Sequence, residues 1–211
     1  MALLIGQGAM PVQCAEMLLS AGFDLAGMCS PDEPLRNWAH RRGVPNYCSD
    51  FALFQKWGET IEFDYLFSVI NFQLLPVSLI QRARSLAINY HDAPLPKYAG
   101  SHAVEWALYN KEAAHGVTWH LIEERVDAGD ILKQACFPIG SEDTLDSLNQ
   151  KCYLTAMRAF RQLIKELKTG THTRVPQDLL QRTFYKRSQR PPGYGAPFLL
   201  EAQAAHTVDL H

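Results

Sequence analysis

The first ninety residues alternate between short apolar runs and stretches with helical spacing, and this rhythm limits the fold more than any other feature. Residues 2–6, 23–29, 63–70 and 86–91 read as strands, with Val44–Cys48 as a short additional one. Between them, residues 11–21, 33–42, Asp50 to about Trp57, and Pro76 to about Arg84 read as helices. Pro11 suits a first helical turn, Gly22 closes the first helix, and Asp50 is a capping residue. Strand–helix–strand repetition of this kind predicts an α/β fold: a doubly wound, mostly parallel sheet with right-handed crossovers. Later, 102–110 reads as a helix, with Ser101 as its cap, and Gly116–Glu123 and Ile131–Ile139 as strands. Thr144 caps a long helix to about Lys168, stopped by Gly170; Leu145, Leu148, Cys152, Thr155, Ala159, Leu163 and Leu167 give it one apolar face.

The stretch Asn89-Tyr90-His91-Asp92-Ala93-Pro94-Leu95-Pro96 ends a buried strand with chemistry. Asn89 and His91 are two residues apart, so an extended chain points both to one side. The two prolines end strand pairing and stiffen the loop beyond the strand. Ligands of open α/β sheets gather at the carboxyl ends of the strands, which is where this pair falls. Asp127 lies in the loop between the two later strands. His120 has Val117, Trp119 and Leu121 as apolar neighbours on the other side of its strand, so it shares a side with Thr118 and Ile122. It faces a substrate space or serves as a hydrogen-bonded structural histidine. The sequence leaves both open. Asp130 reads as a loop carboxylate capping backbone N–H groups.

Asn89-x-His91 with Leu95-Pro96 and Gly100, followed by Gly116-Val117-Thr118-Trp119-His120-Leu121 and by Glu123 to Asp130, resembles the folate-dependent formyltransferases. The resemblance covers about residues 60–140. It implies a Rossmann-like formyltransferase fold, with a catalytic domain over 1–170 and a C-terminal extension or linker over 171–211. It implies 10-formyltetrahydrofolate as formyl donor, no metal, and Asn89, His91 and Asp127 as catalytic residues. Phe72, Leu74 and Leu75 would wall the pterin pocket, with Ile122, Glu124 and Val126 along its polar edge. Pro94, Gly100, Ser101 and His120 would meet the acceptor. His102 is either a neighbour of the helix start or a substrate contact. Acyl transfer to an amine suits these residue types. A base keeps the amine neutral, a donor faces the developing oxyanion, and the leaving nitrogen needs a proton.

The acceptor is narrowed by what surrounds these motifs. Gly6-Gln7-Gly8-Ala9-Met10-Pro11 follows a strand and precedes a helix, the context of a dinucleotide fingerprint. Pro11 stands where the third glycine belongs, and Met28-Cys29-Ser30 places no acid for a ribose, so a tight strand-to-helix turn is the simpler reading. A nicotinamide oxidoreductase is thereby the lesser alternative. The turn also lacks the Gly-Ser-Asn of the purine-pathway formyltransferases, which argues against glycinamide ribonucleotide. A net charge of −2 without basic runs disfavours nucleic acid. Residues 91–102 and 116–120 look most like the formyltransferase domains that open nonribosomal peptide synthetases. That implies an aminoacyl group on a carrier domain as acceptor, with a nucleotide-linked amino sugar as the alternative. A non-catalytic folate-binding module is a further one.

Five scattered cysteines without zinc spacing point to a reduced, cytoplasmic setting. The apolar start Met1–Ile5 meets Gly6 too soon for a signal peptide, and no apolar run is long enough for a membrane span. From Gly170 the chain turns polar and proline-rich. A short strand is expected within Gln181–Lys186, and Tyr185, Lys186 and Arg187 are expected in a solvated linker, with contact to an acceptor as the alternative. Residues 188–211, with Pro191-Pro192-Gly193-Tyr194-Gly195, read as linker or tail.

Overall fold

The structure is a computed structural model that describes residues 1–46 and 61–193. The expected helix from Asp50 to about Trp57, the end of the expected strand Val44–Cys48, and the tail after Gly193 lie outside these residues. The elements are β1 (Ala2–Gly6), α1 (Ala9–Ser20), β2 (Leu25–Cys29), α2 (Glu33–Arg42), β3 (Tyr65–Val69), α3 (Val77–Ile80) and β4 (Leu86–His91). They continue as β5 (Ala99–Gly100), α4 (Ala103–Tyr109), β6 (Ala114–Leu121), β7 (Ile131–Pro138), α5 (Leu145–Thr169) and β8 (Phe184–Tyr185).

Six strands form one sheet in the order β2-β1-β3-β4-β6-β7. The first four are parallel, and β6 and β7 join antiparallel. The chain moves outward from β1 to β2 and then back across to β3 and β4. The reversal falls between β1 and β3, the usual place for a crevice at the strand ends. This is the α/β, doubly wound, mostly parallel arrangement expected from the alternation.

Strand parity divides the sheet into two faces. Leu4, Phe67, Ile88, Tyr90, Val117 and Trp119 face α1 and α5 in the main core. There Trp119 stacks against Phe160 at 4.6 Å between ring centroids and donates Nε1–H to the Ala156 carbonyl. Leu3, Ile5, Phe63, Leu66 and Ala87 face the other way, into a smaller core. Asn89 and His91 share that second side of β4, and Thr118 and His120 share it on β6. The long helix therefore supports the site from behind. Its start is a capping box: Thr144 accepts from the Ser147 N–H, and Ser147 accepts from the Thr144 N–H. Gly170 ends it in the left-handed region.

Three local expectations are corrected. The helix expected over Pro76–Arg84 is a single α-turn, Val77–Ile80. Beyond it the Arg82 and Ala83 N–H groups close tight bonds to Leu79 and Ile80, while the Arg84 N–H and the Arg82 guanidinium turn to the carbonyls of Phe63 and Ile61. Ser101 does not cap α4. His102 holds the cap position with φ 63°, and no side chain bonds the free N–H groups there. The segment after Gly170 is a strap. The short strand expected within Gln181–Lys186 is present at Phe184–Tyr185, but Tyr185, expected in a solvated linker, is packed, while Lys186 and Arg187 are exposed. Val175 bridges to Ile131, and Phe184–Tyr185 pairs in parallel with Ala99–Gly100. Tyr185 lies between Trp106 and Tyr98, stacked at 4.2 Å and 5.9 Å between centroids. Among the described residues no helix is long and apolar enough to cross a membrane.

Candidate active site

Antiparallel pairing of β4 with β6 sets Asn89 opposite His120 and His91 opposite Thr118. Directly opposed residues on one face of a sheet touch. The Asn89 amide donates Nδ2–H to His120 Nε2 at 3.2 Å, while His120 Nδ1–H donates to the Leu121 carbonyl at 2.8 Å. In this tautomer the one Nε2 lone pair of His120 is taken by Asn89, which keeps a second N–H; a proton on Nε2 would instead point to Asp127. Across from them, Asp127 Oδ1 is 3.4 Å from His120 Nε2, and Asp127 Oδ2 is 3.6 Å from His91 Nδ1. The amide, the imidazole of residue 91 and the carboxylate expected to meet do meet, and His120 joins them as a fourth member.

His91 is buried, and its Nε2–H donates to the Tyr98 carbonyl at 2.8 Å. That bond fixes the ring so that Nδ1 faces Asp127, with Asp92 a little further away at 3.9 Å. Burial disfavours the charged imidazolium. The carboxylates of Asp127 and Asp92 and the Tyr98 carbonyl outweigh it and hold the His91 pKa above the ordinary histidine value. Asp127 shows the complement. Burial pushes its pKa up, but His91, His120 and the Gly100 N–H hold it well below the usual carboxylate range.

Asp127 has φ 51°, in the left-handed region. A residue with a side chain held there costs on the order of 1–3 kcal/mol, so its surroundings must hold it. The Gly100 N–H donates to Oδ2 at 2.8 Å, and Gln177 Nε2 donates to the Asp127 carbonyl at 3.0 Å. Gly100 itself sits at φ 94°, and a Cβ there would fall on the Tyr185 carbonyl oxygen. Only glycine allows the strap so close.

The loop after His91 is held from β6 and β7. Thr118 Oγ1–H donates to the Ala93 carbonyl and its oxygen accepts from the Leu95 N–H, while Gln134 Nε2 donates to the Leu95 carbonyl at 2.8 Å. Pro94 lies between those anchors. His115 is buried and donates Nε2–H to the Asp92 carbonyl. Thr118 and Gln134 were not singled out from sequence. The parity of β6, together with its pairing to β4, is the signal that would have found Thr118.

The residues expected at a pterin slot divide. Leu75, expected as a wall, and Ile122, expected along the polar edge, both pack against the smaller core that contains Ala87 of β4. Phe72 and Leu74 are 66% and 79% exposed, lying on the surface of the loop after β3. Glu124 is exposed; Val126 is half-buried, and its carbonyl accepts from Arg182 Nη2 at 2.9 Å. Ser101 is half-buried and bonds the Tyr185 carbonyl through its N–H. His102 donates to the Arg187 carbonyl and sits 3.3 Å from the Glu105 carboxylate. Asp130 offers its backbone carbonyl to the Leu121 N–H.

Next to this site, at the reversal between β1 and β3, lies a cleft of about 250 Å³ lined by Gln7, Asn71, Phe72, Gln73 and Arg187 among others. The Gly8 N–H at the start of α1, where a dinucleotide would place its pyrophosphate, is taken by the Asp32 carboxylate. The turn is thus closed by the chain's own acid, which agrees with the tight-turn reading of Gly6–Pro11. Among the described residues no three His, Cys, Asp or Glu side chains group as metal ligands.

A strand-end amide thus lies beside a carboxylate and two imidazoles on a doubly wound sheet. Residues 36–164 match the formyl transferase family, and the chain belongs to it. Among solved structures, the chain is similar to the sugar 3N-formyl transferase WlaRD, determined with dTDP and 5-N-formyl-THF. That match has 20% identity and a TM-score of 0.73, over 88% of this chain and 69% of that one. An N-formyltransferase from Helicobacter canadensis in complex with folinic acid and dTDP-3-aminofucose matches at 21% identity and TM-score 0.74, over 88% and 70%. Phosphoribosylglycinamide formyltransferase from Streptococcus pneumoniae TIGR4 matches at 21% identity and TM-score 0.66, over 79% and 98%. Identities this low speak for the shared fold.

Proposed function

We propose that the protein transfers a formyl group from 10-formyltetrahydrofolate to a primary amine, with residues 1–170 as the catalytic unit. The observation that carries this reading is the cluster of Asn89, His91, His120 and Asp127 within a few ångströms at the ends of β4 and β6. The amine nitrogen attacks the formyl carbon and a new C–N bond forms. The carbonyl oxygen becomes an oxyanion, met by the second Asn89 N–H and, when that ring is charged, by His91 Nδ1–H. Asp127, ionised throughout the neutral range, takes the amine's proton with His120 as its relay partner. The tetrahedral intermediate collapses, the bond to the folate nitrogen breaks, and that nitrogen takes up a proton. The donor's pterin fits between Leu75 and Ile122, with the backbone of residues 122–126 along its polar edge. The solved relatives holding folate compounds support this assignment of the donor.

For the acceptor we infer an aminoacyl group carried by a peptide-synthetase carrier domain, on the resemblance of residues 91–102 and 116–120 to synthetase formylation domains. A second reading, a nucleotide-linked amino sugar, is favoured by the sugar formyltransferases among the solved relatives. It is also favoured by Arg187, a cation in the cleft beside the site. Incubating the protein and formyl donor with each acceptor class separates them by mass spectrometry. A gain of one formyl group on the carrier-bound aminoacyl thioester, and none on the sugar nucleotide, is the expected result. The opposite pattern rejects the carrier reading, and no gain on any primary amine rejects the transferase reading.

A further inference from the structure

The strap after α5 reaches the catalytic carboxylate through one side chain. Gln177 is half-buried, and its amide nitrogen donates two hydrogen bonds, to the Asp127 carbonyl at 3.0 Å and to the Gly129 carbonyl at 2.7 Å. Its amide oxygen is buried and has no hydrogen-bond partner. All of the side chain's hydrogen bonding therefore goes to the carbonyl of Asp127 itself and to that of Gly129, two residues on. Anchoring the Asp127 carbonyl fixes the peptide that leaves residue 127, and the second bond holds the loop that follows it, so rotation of the Asp127 backbone is resisted from its C-terminal side. Arg182 supports the same turn one residue earlier, at the Val126 carbonyl. The Asp127 carboxylate meets its catalytic neighbours at 3.4 Å and 3.6 Å. A small rotation of its backbone would move it out of that range.

We propose that Gln177 is a positioning residue: by anchoring the Asp127 and Gly129 carbonyls, while Arg182 holds the Val126 carbonyl before them, it aims the carboxylate at His91 and His120. The inference rests on the reading that Asp127 is catalytic. Gln177 touches no reacting atom, and it lies in a segment that carries none of the family's signature residues.

The test uses Gln177→Met, which keeps length and bulk but removes both donated bonds. His91 reports the result through its ring NMR signals, followed against pH in the wild type, Q177M, D127N and the double variant. The charged groups facing His91 are Asp127 and Asp92, with the Tyr98 carbonyl on its other nitrogen. In Q177M the His91 midpoint moves down, in the direction of D127N but by less. In the D127N background Q177M adds nothing, because the carboxylate it aims is gone. Formyl transfer falls roughly 10- to 100-fold in Q177M, in kcat rather than KM. Asp178→Ala is the control: Asp178 caps the next turn of the strap at the Leu180 N–H and leaves the Asp127 loop alone, so the His91 titration stays where it is.

An unmoved His91 midpoint in a folded Q177M protein overturns the proposal. So does an equal shift with and without the carboxylate, or an equal shift in D178A. The His91 titration needs no turnover. If D127N keeps full transfer activity while Q177M still moves the midpoint, the catalytic reading of Asp127 fails and the clamp survives.

Discussion

The two halves of the sheet end in different kinds of site. Where β1 and β3 run parallel, their carboxyl ends open into loops, and the cleft between them is lined by side chains from β1, the loop after β3 and the strap. Where β4 meets β6, the strands run antiparallel and place Asn89 face to face with His120. Parallel strands leave a crevice that a substrate fills. The antiparallel seam brings two polar side chains into direct contact, His120 buried and Asn89 half-buried, with the Asp127 carboxylate close to His120. The first geometry suits recognition, and the second suits proton handling at fixed distances.

Substitutions that break this contrast have the largest effect. Asn89→Ala is expected to lower kcat about 10²- to 10³-fold with folate affinity changed little, because it removes the oxyanion donor. Gln7→Ala in the cleft is expected to raise acceptor KM with kcat preserved. Steady-state kinetics on both variants checks the pair, and a kcat loss from the cleft variant would erase the division of labour.

Next comes the join between strap and site. Gly100→Ala places a Cβ on the Tyr185 carbonyl at a positive φ, and should cost more than about 1 kcal/mol of stability along with activity. Urea unfolding measures it. By contrast, Thr144→Ala at the far end of α5 should cost about 1 kcal/mol and leave turnover unchanged, since only the capping box is lost.

The smallest effect is in pH dependence. His91 has a raised pKa, so its stabilising contribution is complete below about pH 6.5 and is lost as pH rises through the folded value. Asp127 has a lowered pKa, so its contribution is complete above about pH 4 and is lost only as pH falls through its folded value. Both are present together between these limits. The stability gap between wild type and Asp127→Asn is therefore expected to be widest near pH 5–6 and to narrow above neutrality, read from urea midpoints.

The fold was legible because period-2 and period-3.6 patterns are local. The Asn89–His91 spacing, the Thr144 cap and the Gly170 stop each need only a few neighbouring residues to be read. His120 was harder. Its side of β6 follows from parity, but its partnership with Asn89 depends on which strand lies alongside and in which register, and neither is written locally. Gln177 and Arg182 were not legible at all. They sit in a polar, proline-rich stretch that resembles a linker, and their importance arises only from where the strap lies. Phe72 and Leu74 show the converse: apolar residues next to a strong strand read as walls, and the structure leaves both exposed, Phe72 at the rim of the cleft.

The cluster at the antiparallel seam is tested most directly by Asp127→Asn, with single-turnover formyl transfer measured beside folate binding by calorimetry. The account predicts that binding survives within a few-fold while transfer falls about 10²- to 10⁴-fold. Transfer at the wild-type rate in a folded D127N protein would contradict it.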